Sequence, residues 1–203
     1  GIPPLSDPGR RPTGTTHASA VDAEGGSASL STSNGSGSGV VVPGTGILLN
    51  NMLGEEDLNP DGFGALEPGR RMSSMMSPTL VLGGDGRALA VGSAGSNRLR
   101  SAITQTVARI VAGGLDPRSA VAQSRIHVEG GRVDAEPGIS EVVLRELEAQ
   151  GWVVRRWGEQ NLFFGGVAVA GPAGSGLDAA GDPRRGGGAA GVTRDGEVVP
   201  LSR

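Results

Sequence analysis

Residues 15–35 read TTHASAVDAEGGSASLSTSNG. Thr15 to Asp22 alternates small and polar residues, Glu24-Gly25-Gly26 supplies a turn, and Ser27 to Ser33 is a second β segment. Two such segments about a glycine turn predict strands that pair as a hairpin. Residues 1–14, GIPPLSDPGRRPTG, are polar, rich in Pro and Gly and without period, and read as an irregular tail or linker. The chain begins at Gly1 with no signal-like apolar stretch, which suggests a fragment or a cleavage product whose targeting signals, if any, lie upstream.

Beyond the hairpin, Asn34 to Gly39 is a flexible loop, Gly44-Thr45-Gly46 leads into Ile47 to Asn51, and Glu55-Glu56-Asp57 forms an acidic cluster. Pro60 to Arg71 is another loop. Thr79 to Leu82, a turn at Gly83 to Gly86, and Ala88 to Val91 predict the clearest hairpin. Gly92 to Asn97 opens a helix whose buried face carries Leu99, Ile103, Val107, Ile110 and Val111, ended by Gly113-Gly114. A short helix follows around Ser119 to Gln123, then strands at Arg125 to Val128 and Arg132 to Asp134. A second strong helix runs from Ser140 to Gln150, lined by Ile139, Val143, Leu144 and Leu147 and capped by Gly151. Trp152 to Trp157 reads as a strand with its two tryptophans on opposite faces. Gly166 to Ala170 is a strand, Gly171 to Gly188 a Gly-rich loop, and Val192 to Val199 a last edge-like stretch. Strands, then two helices, then strands predict an α+β sandwich with helices over a largely antiparallel sheet.

Composition narrows the function. Glycine (37) and proline (13) are abundant enough among 203 residues to border on low complexity. The absence of Cys excludes a disulfide scaffold, a thiolate zinc site and a cysteine nucleophile. Glycine has no three-residue period, so the chain is not collagen-like. Apolar runs such as Val40 to Val42 are too short to span a membrane. A net charge of −3 argues against a general nucleic-acid binder. The two histidines, His17 and His127, lie far apart with no metal-ligand spacing.

Four segments carry residue types that can do chemistry. Gly14-Thr15-Thr16-His17 has the layout of a self-cleaving precursor. A Thr hydroxyl needs a base beside it, and a terminal Thr can use its own α-amine. Gly14 offers little obstruction to attack on its carbonyl. Taken locally, the same residues are an ordinary Ser/Thr-rich strand start. Gly92 to Asn97 can hold an oxyanion on free N–H groups, or can be a simple Ser/Asn helix cap. It is not a P-loop, because the terminal Lys-Ser/Thr is missing. The paired hydroxyls in Arg70 to Pro78 can bind a carboxylate, and Glu55-Glu56-Asp57 an ammonium; each is otherwise a solvated loop.

The order of these segments resembles the γ-glutamyltransferases, which are N-terminal-nucleophile hydrolases. The match is carried by TTHASAVDAEGGSASLSTSNG, GTGILLNN, the acidic cluster, RRMSSMMSPTLVL, GSAGSNRLRSAI and DPRRGGGA, and runs from about Thr15 to Gly188. The resemblance implies an αββα fold and a precursor that cuts itself between Gly14 and Thr15. Residues 15–203 would then be the catalytic small subunit, and residues 1–14 the end of a large subunit. The large subunit would stay associated, complete the sandwich and supply an Arg for the substrate's α-carboxylate.

Mapped residue by residue, the resemblance makes Thr15 the nucleophile and Ser33 its hydroxyl partner. Gly95 and Ser96 would be the oxyanion donors, and Ser73 and Ser74 the α-carboxylate site. Glu55, Glu56 or Asp57 would bind the α-amino group, with Glu55 favoured by alignment, and Asn34 and Gly35 would lie beside the substrate. Departures fall in acyl recognition. Gly35 stands where the best-studied members have Asn, Met52 replaces a Gln, and the lid segment Leu58 to Arg71 is short, which implies an open cleft. The implied activity is γ-glutamyl transfer or hydrolysis on a small molecule such as glutathione, with no cofactor or metal. A glutaryl-type β-lactam acylase and a poly-γ-glutamate hydrolase are alternatives of the same fold. A third is an inactive fragment, poorly folded without its large subunit. Family members are often periplasmic, secreted or surface-bound.

Overall fold

The computed structural model describes residues 14–201, and of Asp57 only the backbone. The expected tail over residues 1–14 thus lies outside the described residues except for Gly14. The described chain divides into two compact units, residues 14–16 with 32–75, and residues 17–31 with 76–201. Strands β1 (Thr15–Val21) and β2 (Ser27–Ser33) form the expected two-stranded hairpin. Its turn is closed by Asp22, whose Oδ1 accepts from the Glu24 and Gly26 N–H groups.

The second unit is built on a four-stranded antiparallel sheet in the order β3-β4-β8-β9. These strands are β3 (Thr79–Leu82), β4 (Ala88–Ala94), β8 (Gly166–Ala173) and β9 (Gly176–Gly181). Alternation along β4 and β8 sorts their residues between two faces. Leu89, Val91, Val167 and Val169 pack with Ala102 and Ile103 of helix α1 (Arg98–Val111) and Val121 of helix α2 (Pro117–Ala122). The opposite face carries small residues, and there the β1–β2 hairpin lies close. Ser19 Oγ donates to the Ala168 carbonyl at 3.1 Å, and Ser29 Oγ to that of Val91 at 3.0 Å. A Cβ on Gly92 would run into the His17 ring, so Gly92 is what lets the hairpin approach. Helices, sheet and hairpin thus stack as α, β and β layers, as expected for an αββα sandwich.

Beside this core, β5 (Ile126–Glu129), β6 (Arg132–Ala135) and β7 (Val153–Arg156) form a three-stranded sheet. β6 and β7 are parallel, and α3 (Glu141–Ala149) is the crossover that a parallel pair requires. Strands β10 (Ala189–Val192) and β11 (Val198–Leu201) close the chain as a hairpin.

Several expectations need correction. The loop expected over Gly171 to Gly188 contains the end of β8, all of β9 and a 3-10 turn at Pro183–Arg185. Gly171 and Gly181 mark close packing instead of irregular chain. A Cβ on Gly171 would lie 3.2 Å from Leu89 Cα, and one on Gly181 would strike the backbone of Gly187 and Gly188. The edge stretch Val192 to Val199 is a turn between two strands, with Thr193 N donating to Glu197 O at 2.9 Å and Gly196 at φ +83°. Trp152 and Trp157 flank β7 and do not share a strand. Trp157 stacks on Phe163 at 4.8 Å and donates Nε1 to Asp134 at 2.9 Å. Val111 and Val143 are exposed, whereas Ala102 and Thr106 complete the buried stripe of α1. Helix α2 begins earlier than Ser119, because Asp116 caps it by accepting from Ser119 N at 2.9 Å and Pro117 starts it.

Candidate active site

Thr15 opens β1 on the more protected face of the strand, with His17, Ser19 and Val21. Its Oγ1 donates to Ser33 Oγ at 3.0 Å, and the same Ser33 oxygen accepts from Gly35 N–H at 3.0 Å. The ladder extends one residue ahead of β1. Gly14 N–H donates to the Gly35 carbonyl at 3.2 Å, and the Gly14 carbonyl accepts from Asn34 N–H at 3.4 Å. The Gly14–Thr15 peptide is therefore held in extended backbone with its carbonyl on a donor. While that bond is intact the Thr15 nitrogen is an amide without a basic lone pair. Only cutting it creates an amine that can take a proton from the hydroxyl.

The loop that follows β2 explains why Gly35 replaces a larger residue. Gly35 has φ +59°, and a Cβ there would run into Glu55 Oε1 and Asn51 Oδ1. Both oxygens accept from Ser36 N–H, at 3.1 and 2.7 Å respectively. Glu55 is half-buried and held at Oε1, while its Oε2 has no hydrogen-bond partner among the described residues. Asn59 Nδ2 fixes the backbone beneath it, donating to Glu55 O at 2.7 Å and Met52 O at 3.2 Å. Glu56 is exposed, and the side chain of Asp57 lies outside the described residues. Ser73 and Ser74 are exposed and belong to the same unit as Thr15. Ser73 borders a cavity of about 320 Å³ lined also by Asn59, Asp61, Glu67, Arg70 and Arg71.

Gly95 and Ser96 belong to the second unit, between the end of β4 and the start of α1. Gly95 is buried at φ +135°, and a Cβ on it would lie 2.8 Å from Gly165 Cα. Ser96, at φ +52°, is the one non-glycine with positive φ among the described residues. That left-handed conformation costs an L-residue about 1–2 kcal/mol. Neither N–H has a protein acceptor among the described residues, whereas the Gly95 and Ser96 carbonyls accept from Arg98 and Leu99 N–H at 3.1 and 3.0 Å. Asn97 does not cap α1 with its side chain; its Nδ2 donates to Glu129 Oε1 at 2.6 Å. Two adjacent unpaired N–H groups at strained backbone are the geometry of an anion nest.

Two polar clusters escape sequence reasoning. His17 Nδ1 meets Ser31 Oγ at 2.7 Å and Nε2 meets Ser19 Oγ at 3.0 Å, and burial lowers the imidazole pKa below 6.5. The signal for this was the serine at alternate positions of β2, facing His17 and Ser19 of β1. Below the sheet, buried Arg125 pairs with Asp182 at 2.6 Å, and buried Arg184 with Glu136 at 2.6 Å and Asp182 at 3.2 Å. Asp182 also accepts from Val167 N–H at 3.0 Å, which ties the turn carrying the second arginine pair to β8.

Residues 4–192 match the family model described as Gamma-glutamyltranspeptidase. The chain belongs to the gamma-glutamyltranspeptidase family. It is 35% identical over 194 residues to the glutathione hydrolase proenzyme of Pseudomonas aeruginosa, covering 87% of this chain and 34% of that protein. It is 33% identical over 144 residues to the Acylase ACY 1 proenzyme of Pseudomonas sp. strain SE83, covering 70% of this chain and 26% of that protein. Among solved structures, the gamma-glutamyltranspeptidase of Pseudomonas nitroreducens complexed with L-DON superposes with a TM-score of 0.68 at 30% identity. That match covers 83% of this chain and 95% of the other. The chain spans about a third of the length of the Pseudomonas aeruginosa relative (34%). The αββα fold expected from the resemblance is thereby established for this member of the family.

Proposed function

We propose that this chain is the catalytic small-subunit region of a γ-glutamyl acyltransferase or hydrolase that acts on γ-glutamyl amides such as glutathione. The hydrogen bond from Thr15 to Ser33, at the start of a strand that Gly14 extends, is the observation that carries the proposal. Self-cleavage at Gly14–Thr15 frees the Thr15 α-amine. That amine takes the hydroxyl proton as Thr15 Oγ1 attacks the γ-carbonyl carbon. Gly95 and Ser96 N–H groups receive the oxyanion. Collapse breaks the C–N bond, the leaving amine departs with the proton, and a γ-glutamyl ester on Thr15 remains. Water or an amino-acid amine then attacks the ester and returns the proton to Thr15. Ser73 and Ser74 bind the donor's α-carboxylate and Glu55 its ammonium; the half-burial of Glu55 and its fixing at Oε1 support that choice over exposed Glu56.

A large subunit of the same precursor is the proposed partner. Val40, Val41, Ile47, Leu53 and Phe63 are all more than half exposed, and apolar surface of that kind argues for a covering chain. No helix among the described residues is long and apolar enough to cross a membrane.

A glutaryl-type acylase is the second reading. Met52 cannot offer the hydrogen bonds of the Gln it replaces, and the similarity to an acylase proenzyme supports it. Turnover of γ-glutamyl against glutaryl p-nitroanilide by the full-length gene product decides between them. Only the former carries an ammonium for Glu55. Preference for the γ-glutamyl donor, lost in Glu55→Gln, is expected; preference for the glutaryl donor overturns it.

A further inference from the structure

Helix α1 holds strand β5 through polar side chains spaced four residues apart. Gln105 Nε2 donates to the Ile126 carbonyl at 2.8 Å, and its Oε1 accepts from Ile126 N–H at 3.1 Å. Ser101 Oγ meets His127 Nδ1 at 2.7 Å. Asn97 Nδ2 donates to Glu129 Oε1 at 2.6 Å. Asn97, Ser101 and Gln105 stand at i, i+4 and i+8, which is one face of a helix, so they read the same strand. Gln105 and Ser101 join the body of α1 to β5. Asn97 joins to β5 the residue that directly follows strained Ser96.

Asn97 occupies the cap position of α1, yet its backbone is already helical (φ −55°, ψ −22°) and its side chain makes no capping hydrogen bond. An Asn at that position ordinarily has extended backbone and accepts from the N–H two or three residues on. Here the amide is turned toward β5, and only its NH2 can face a carboxylate. Glu129 ends β5 and pairs with Arg132 across a turn whose glycines, Gly130 and Gly131, have φ +56° and +76°. Its backbone is thus fixed by a tight hairpin, while Arg132 is engaged by Asp134 at 3.1 Å. Burial opposes ionisation of Glu129, but the Asn97 hydrogen bond and the His127 ring, with Nε2 3.5 Å away, outweigh it and hold the carboxyl below its ordinary pKa. A hydrogen bond to an ionised acceptor is comparable in strength to the strain of a left-handed L-residue.

We propose that Glu129 is a positioning residue of the reaction: by holding the Asn97 side chain it keeps the Ser96 N–H aimed at the oxyanion. The inference rests on the acyl transfer proposed above. Strained backbone persists where its surroundings over-determine it. On one side of Ser96, Gly95 is set closely against Gly165. On the other side, Asn97 is tied to Glu129. Fixing both flanks fixes the peptide between them, and with it the direction of the N–H. An Asn97 released from Glu129 can take the extended backbone of an ordinary cap, let Ser96 relax to negative φ and swing that N–H away. The groups assigned to donor binding, Ser73, Ser74 and Glu55, belong to the other unit. Loss of Glu129 therefore weakens an interaction made in the transition state and leaves ground-state binding intact, which places the effect in kcat and not in KM.

The test uses the full-length gene product after self-cleavage and measures kcat and KM for γ-glutamyl p-nitroanilide. Glu129→Ala is expected to lower kcat about tenfold, less than the hundredfold or more of losing an oxyanion donor outright, with KM kept within about twofold. Glu129→Gln, whose carbonyl accepts the same bond, is expected to restore kcat to within about threefold of wild type. The double variant Asn97→Ala, Glu129→Ala is expected to be no slower than Glu129→Ala alone. Gln105→Leu breaks another contact of α1 with β5 and is expected to lower Tm while keeping kcat. Should Glu129→Ala stay uncut, Glu129→Asp, one methylene too short for Asn97, carries the same comparison. An unchanged kcat in the shortened variant, no rescue by Glu129→Gln, or an equal loss of kcat in Gln105→Leu overturns the proposal. Wild type that turns over the glutaryl and not the γ-glutamyl donor overturns the proposed function, and the same comparison on glutaryl p-nitroanilide then decides the role of Glu129. Wild type that turns over neither overturns both.

Discussion

Thr15 Oγ1 donates to Ser33 Oγ at 3.0 Å, and Gly35 N–H donates to that same Ser33 oxygen at 3.0 Å. A single serine therefore accepts the hydrogen bond of the proposed nucleophile's hydroxyl and is itself fixed by backbone. Ser33→Ala removes one hydrogen bond, typically about 0.5–1.5 kcal/mol. The expected result is roughly a three- to tenfold loss in kcat with slower self-cleavage. Ser33→Thr is expected to keep both. Single-turnover kinetics and a processing time course measure this.

Gly35 is constrained twice, by φ +59° and by the Glu55 and Asn51 oxygens that a Cβ would meet. Gly35→Ala is expected to destabilise the chain by about 1–3 kcal/mol. It should also raise KM for γ-glutamyl donors, because Glu55 must move. Thermal melts of the purified enzyme and donor KM read the two effects separately.

Gly95 and Ser96 differ in the same way. Ser96→Gly relieves strain of about 1–2 kcal/mol, partly offset by glycine's entropy in the unfolded chain, and preserves the backbone donor. A small gain in Tm with kcat retained is expected. Gly95→Ala pushes a Cβ to 2.8 Å from Gly165 Cα and is expected to lower both Tm and kcat.

His17 gives a pH signature. Burial depresses its folded pKa below 6.5, so the unfolded chain binds the proton more readily. Stability from the neutral ring is fully present above pH 6.5 and is lost as pH falls through the folded value. Melts between pH 7.5 and 5 are expected to show a falling Tm on the acid side. His17→Gln is expected to flatten part of that slope; the remainder belongs to His127, whose pKa burial also lowers.

Much of the fold was legible because local patterns agreed with packing. The β3–β4 hairpin and α1 have strong alternation or helical period, and Gly114 at φ +68° ends α1 as its sequence suggests. β9 was not legible, because Gly176, Leu177, Asp178, Ala179, Ala180 and Gly181 resemble a loop until the close approach of Gly187 and Gly188 is known. The proposed site residues rest on the family resemblance, since nothing in the local composition around Thr15 or Gly95 marks them. The hub role of His17 and the buried pairing of Arg184 with Glu136 needed coordinates. Both depend on what lies across a sheet or turn, and neighbours in sequence do not carry that information.

The intact mass of the full-length gene product tests the central claim most directly. The account predicts two fragments divided between Gly14 and Thr15, with Thr15 as the new N-terminus, and a single uncut chain in Thr15→Ala. A wild-type chain that stays whole, a cut elsewhere, or normal cleavage in Thr15→Ala would contradict it.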